Sequence, residues 1–130
     1  MIVVDASVIA TALGDDGDDG DRLRERLRGE QLAAPHLLDV EVASVFRRQV
    51  AGGRLDPRRA RLALEDLVAM PIRRAPHTPL LTRAWQLREN LTSYDGIYVA
   101  LAEALDVALV TGDARLARTP RLRCAVELVQ

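Results

Sequence analysis

The sequence predicts an α/β fold, a mainly parallel central sheet flanked by helices on both faces, and three observations lead there. Short, continuous aliphatic runs such as Ile2 to Val4 and Val107 to Val110 show no polar alternation, the pattern of strands buried on both faces. Between these runs lie segments with helical spacing, so strands and helices alternate along the chain. Finally, 130 residues fill one ordinary core and leave no room for a second, which predicts a single domain over residues 1 to 130.

Ile2 to Val4 ends at Asp5, and Ala6-Ser7-Val8-Ile9-Ala10 follows as a buried strand entering a helix. Gly14 to Asp21 contains only glycine and aspartate, which predicts an exposed loop whose last aspartates cap a helix from about 22 to 28, stopped by Gly29. A strand near 32 to 34 meets Pro35. Leu38, Val42, Val45 and Gln49 then recur at helical spacing until Gly52-Gly53. Asp56-Pro57 opens the next helix, a cap followed by proline at the first position, with Leu62, Leu64, Leu67 and Val68 expected on its buried side and Pro71 at its end.

A strand at 72 to 75 and a helix from about 78 to 90 come next, with Trp85 expected as a core anchor. Thr92 and Ser93 cap a helix over 94 to 105, and the aliphatic run behind it ends in Thr111-Gly112-Asp113. Ala125, Val126, Leu128 and Val129 supply a last strand.

Composition excludes several chemistries. All 18 basic residues are arginine, so there is no phosphate-loop lysine, no Schiff base and no lysine general base. The lone Cys124 has no histidine near it in sequence and reads as a structural thiol, and nothing resembles the elbow of a serine hydrolase. His36 and His77 each follow a proline and read as capping or surface residues. An unpaired cysteine, an apolar start interrupted at Asp5 and no long uncharged stretch predict a cytoplasmic chain. Net charge is −1, yet residues 15 to 21 hold five aspartates while residues 47 to 61 hold six arginines against Asp56. A basic sector of this kind can hold an anionic polymer, with Arg47, Arg48, Arg58 and Arg59 as candidate phosphate contacts. Solvated helix faces explain it equally well.

Four acids carry the chemistry. Asp5 and Asp113 each stand at the carboxyl end of an aliphatic strand, the rim where open parallel sheets bind ligands. Glu41 follows Leu38 by three residues and precedes Val45 by four, which puts its carboxylate on the core-facing stripe of a helix, where an arginine or a bound cation must meet it. Asp95 lies in a first helical turn, where the helix dipole favours a negative charge in any protein. If the four converge, their mutual repulsion calls for a divalent cation, and oxygen-only donors suit Mg²⁺ or Mn²⁺ acting on phosphate esters.

These residues sit in ordered stretches: Val-Val-Asp5-Ala-Ser7-Val, Glu41-Val-Ala-Ser-Val, Tyr94-Asp95-Gly-Ile-Tyr98-Val-Ala-Leu-Ala-Glu103, and Leu-Val-Thr111-Gly-Asp113. Together they resemble the PIN-domain, VapC-type toxins over nearly the full chain. The resemblance implies that Asp5, Glu41, Asp95 and Asp113 form the acidic metal site, with Ser7 and Thr111 supporting them by hydrogen bonds. It further implies an endoribonuclease using Mg²⁺ or Mn²⁺, a homodimer, and silencing by a cognate VapB-type antitoxin, with transfer or ribosomal RNA as substrate. Receiver domains and haloacid-dehalogenase phosphatases also place an aspartate after a first strand, but they use a lysine that is missing here. A non-catalytic RNA-binding or protein-interaction module on the same fold is the remaining alternative, disfavoured by the intact set of four acids.

Overall fold

The computed structural model describes residues 1–129. Five strands form one parallel sheet: β1 (Ile2–Val4), β2 (Leu32–Pro35), β3 (Ile72–Ala75), β4 (Leu109–Thr111) and β5 (Val126–Leu128), in the order β3-β2-β1-β4-β5. Register is set by pairs such as Ile2 with Leu32, Val3 with Leu109 and Leu109 with Val126. The chain therefore runs outward from β1 through β2 to β3, then returns to β1's other side for β4 and β5. The order reverses between β1 and β4, and that switch point opens a crevice at the carboxyl ends of these two strands.

Helices α1 (Ala6–Gly14), α2 (Asp18–Leu27), α3 (Leu37–Ala51) and α4 (Pro57–Ala69) carry the outward crossings. Helices α5 (Leu81–Gln86), α6 (Ser93–Leu105) and α7 (Ala114–Ala117) carry the return. Right-handed crossovers put the first group on one face of the sheet and the second on the other. Packing agrees, since α1 contacts α2, α3 and α4, whereas α6 contacts α5 and lies against β1, β2 and β4.

Val3, Val4, Val8, Ile9, Leu38, Val42, Phe46, Leu109 and Val110 are almost wholly buried between these layers. The expected caps form, Asp56 accepting from the Arg59 amide and Thr92 from Asp95, and Asp5 also accepts from the Val8 amide, each at 3.2 Å.

Several expectations give way. Helix α2 starts at Asp18, not near 22, because Asp18, Asp19 and Asp21 form its first turn, where acids suit the dipole. Arg24 then donates 2.8 Å bonds to the carbonyls of Ala12 and Asp15, closing the end of α1 over what the composition reads as an open loop. On α4 the buried residues are Ala60, Ala63 and Leu67, whereas Leu62 and Val68 are exposed.

The expected helix over 78 to 90 is a 3₁₀ turn (Thr78–Leu80) followed by α5, only six residues long. It buries Leu80, Ala84 and Leu87, leaving Trp85 64% exposed with Arg88 stacked 4.7 Å from its ring centre. Trp85 is therefore not a core anchor. Gly96 sits against the backbone of Ala84, where a Cβ would lie 3.3 Å from both its Cα and its carbonyl oxygen, so α5 presses directly on the start of α6.

A candidate acidic active site

Asp5 leaves β1 and caps α1, and its carboxylate is held from three sides. Oδ1 accepts from the Ser7 hydroxyl at 2.6 Å and from the Val8 amide, while Oδ2 accepts from the Thr111 hydroxyl. Thr111 ends β4 and is fully buried. Its oxygen also accepts the Asp113 amide at 3.0 Å, and Ser7 Oγ accepts the Gly112 amide at 3.1 Å. Ser7 and Thr111 thus tie the ends of β1 and β4 together across the switch point, fixing Asp5 relative to Asp113.

Asp113 caps the short α7, accepting from the Arg115 amide at 2.9 Å and from the Arg115 guanidinium at 2.9 Å. That guanidinium holds the Asp113 carboxyl below the usual carboxylate range. Asp95 comes from the first turn of α6 and is half-buried. Burial first, then the charges of Asp113 and Asp5, push its carboxyl up.

Glu41 reaches in from α3, with burial raising its carboxyl and Asp95 and Asp5 adding to the rise. Tyr98, one turn beyond Asp95 on α6, donates a 2.7 Å hydrogen bond to Glu41 Oε1 and partly offsets that rise. Burial and this neighbour raise the Tyr98 phenol strongly, so it stays protonated and acts as a donor.

The structure therefore brings Asp5, Glu41, Asp95 and Asp113 into one electrostatically coupled group. No arginine pairs with Glu41 or Asp95 among the described residues; Arg115 on Asp113 is the one protein cation paired with the quartet. Glu41 is half-buried, and in place of the expected arginine or cation its partner among the described residues is the neutral Tyr98 phenol.

Among the described residues, no three His, Cys, Asp or Glu side chains close into a cage for a bare ion. The reason is visible in their partners: Asp5 is turned to Ser7 and Thr111, Glu41 to Tyr98, and Asp113 to Arg115. Such a donor set suits a hard cation that keeps several waters and takes one or two carboxylates directly, which is how Mg²⁺ binds.

The four arginines do not gather at the acids. Arg59 donates to Asp16 at 3.1 Å and to the Leu13 carbonyl at 2.7 Å, so the acidic segment and the basic sector neutralise each other there. Arg59 is a structural link, and the charge segregation of the sequence is partly undone in space. Arg58 is exposed on the first turn of α4, and Arg47 lines an apolar groove with Phe46, Ala60 and Leu64. Arg48 alone lines a cleft that includes Glu41.

Tyr98, Tyr94 and Arg115 were not singled out from sequence. Tyr98 lies three residues after Asp95, on the same helix face, and a buried carboxylate on α3 needs a donor, which is the signal that could have found it. Glu103 pairs with Arg83 at 2.6 Å and accepts the Arg123 amide, anchoring the tail that leads to β5. His77 accepts the Leu37 amide at 2.9 Å and closes the start of α3. No helix among the described residues is long and apolar enough to cross a membrane.

The chain is similar to several known proteins. A model of the PIN domain matches residues 2–122. Ribonuclease VapC1 of Mycobacterium tuberculosis is 46% identical over 129 residues, an alignment spanning 98% of this chain and 97% of that one. The crystal structure of PAE2754 from Pyrobaculum aerophilum superposes with a TM-score of 0.69 at 27% identity, covering 98% of this chain and 83% of that one. VapBC2 from Rickettsia felis, solved bound to a DNA fragment from its promoter, gives 0.69 at 15% identity over the whole of both chains, a likeness of fold alone. Matched along nearly its whole length by a family model and by a close relative, the chain belongs to the PIN-domain family and, within it, to the VapC ribonucleases.

Proposed function

We propose that the chain is a metal-dependent endoribonuclease that hydrolyses phosphodiester bonds of transfer or ribosomal RNA, acting as the toxin of a toxin–antitoxin pair. The observation that carries this reading is the coupling of four carboxylates at the β1/β4 switch point with too little protein charge to neutralise them. When bound there, Mg²⁺ or Mn²⁺ supplies a Lewis acid that acidifies water and offsets charge on the phosphoryl oxygens.

Asp5, Asp95 and Asp113 would hold the ion directly or through water, with Ser7 and Thr111 fixing the angle at which Asp5 presents its oxygens. Glu41, raised by burial yet steadied by Tyr98, orients the attacking water and accepts its proton as the new P–O bond forms and the bond to the leaving oxygen breaks. Arg115 lies against Asp113 and is otherwise exposed, free to turn toward a phosphate once the carboxylate is engaged elsewhere. The toxin reading carries with it a homodimer, a VapB-type antitoxin partner and a cytoplasmic setting.

The test is cleavage of total cellular RNA by the purified protein in Mg²⁺ or Mn²⁺ against chelator, beside Asp5→Asn. Discrete, cation-dependent fragments that vanish in the variant are expected. Undiminished cleavage by Asp5→Asn would remove the acidic quartet from the reaction. Binding of RNA without cleavage in any cation would favour the non-catalytic module.

A further inference from the structure

Next to the acids, α3 and the start of α6 enclose a cleft of about 400 Å³ whose lining includes Leu37, Val40, Glu41, Ser44, Arg48 and Tyr94. Glu41, Ser44 and Arg48 fall on one stripe of α3, because offsets of three and seven residues return to nearly the same helix face. Seven residues advance about 10 Å along the axis, so a carboxylate and a guanidinium stand at opposite ends of the cleft. Across from them, Tyr94 directly precedes Asp95 and is 62% exposed, and on α3 itself Val40 is 66% exposed.

None of the three polar side chains beyond Glu41 is committed. Ser44, Arg48 and Tyr94 make no side-chain hydrogen bond or ion pair among the described residues. An exposed aromatic ring and an unpaired guanidinium, both opening on a carboxylate of the acidic quartet, match the two halves of a nucleotide: a base with a π-face and a phosphate.

We propose that this cleft is a nucleotide subsite for one unpaired residue of the RNA, with the base stacked on Tyr94 and the adjoining phosphate held by Arg48. The inference rests on the ribonuclease reading and specifies how its substrate is held. A strand entering at Arg48 places one phosphate on the guanidinium and passes the next toward the acids, and Tyr94 receives the base between them. Duplex RNA buries its bases against their neighbours, so the subsite selects single-stranded loops or ends.

The test uses the full chain and a short fluorescent single-stranded RNA spanning a cleavage site mapped in total RNA, plus versions with one abasic ribose stepped along it. Tyr94→Ala is expected to lower kcat/KM about tenfold, mainly through KM, with the melting temperature unchanged because the ring is exposed. At one position the abasic RNA should lose about the same factor with the parent protein and nothing further with Tyr94→Ala. Arg48→Ala should weaken binding and reduce the dependence of log K on log salt by about one.

Additive losses at every abasic position, or parental kinetics in Tyr94→Ala, overturn the subsite while leaving the ribonuclease standing. Parental kinetics joined to loss of silencing by the cognate antitoxin would assign the cleft to the protein partner instead. A parent protein that neither cuts nor binds the RNA in any cation overturns both readings.

Discussion

The Tyr98 hydroxyl donates to Glu41 across the gap between α6 and α3, and it is the one protein donor that this carboxylate has among the described residues. Tyr98 is buried and Glu41 half-buried, so the bond steadies a charge that burial disfavours. Tyr98→Phe removes the influence that lowers the Glu41 carboxyl and leaves those that raise it. The acid limb of the RNA-cleavage pH profile should therefore move to higher pH, and the folded protein should lose about 1–3 kcal/mol at neutral pH. Parallel pH–rate profiles for the two proteins would check it, and an unmoved acid limb would mean that Glu41 does not act as a base.

Thr111→Val tests the bridge between strands. Valine keeps the volume but removes the hydroxyl that serves Asp5 and the Asp113 amide together. Denaturant unfolding should show a loss of about 1–3 kcal/mol, and cleavage should fall by about 10- to 100-fold, as for partners that orient metal ligands. Full activity in a variant destabilised by that amount would make the bridge purely structural.

Asp95 predicts an inverted stability effect. Its carboxyl is raised above the ordinary 3.8 by burial and by Asp113 and Asp5. A carboxyl raised in the folded state favours folding below its unfolded value, and that contribution disappears as pH climbs through the folded value. In chelator, Asp95→Asn should thus melt higher than the parent at neutral pH, the gap closing as pH falls toward 3.8. Thermal melts across pH measure this, and Mn²⁺ should stabilise the parent more than the variant. A variant that melts lower at neutral pH would show that the Asp95 charge is welcome without a metal.

The arginines separate by partner. Arg59, committed to Asp16 and the Leu13 carbonyl, should on mutation to alanine lower the melting temperature while leaving the salt dependence of RNA binding as it is. The exposed Arg48 should do the reverse, reducing the salt slope by about one with little effect on melting. Equal salt slopes for both variants would contradict the division.

The strand-end acids were legible because β1 and β4 are short and uncharged, so the first charge after each marks the sheet rim. Glu41 was legible as a charge at an apolar position, though its partner was not: pattern places a residue on a face and says nothing of what faces it. The phenol of Tyr98 comes from another helix 57 residues away. Side-chain size misled at Trp85, Leu62 and Val68: α5 presses on α6 through Ala84, and α4 buries Ala60, Ala63 and Leu67 instead. Charge counting misled at Asp15 to Asp21, because Arg24 and Arg59 reach in from elsewhere and close the segment.

Calorimetric titration of Mn²⁺ into the purified protein, beside Asp5→Asn and Asp113→Asn, asks whether the quartet holds a cation at all. Saturable binding is expected in the parent and should weaken by at least tenfold in both variants. Because Glu41 and Asp95 are held above the ordinary carboxylate range, binding in mildly acidic buffer should also release protons, seen as a heat that depends on the buffer. Parental affinity in both variants would contradict a metal centre built on these acids.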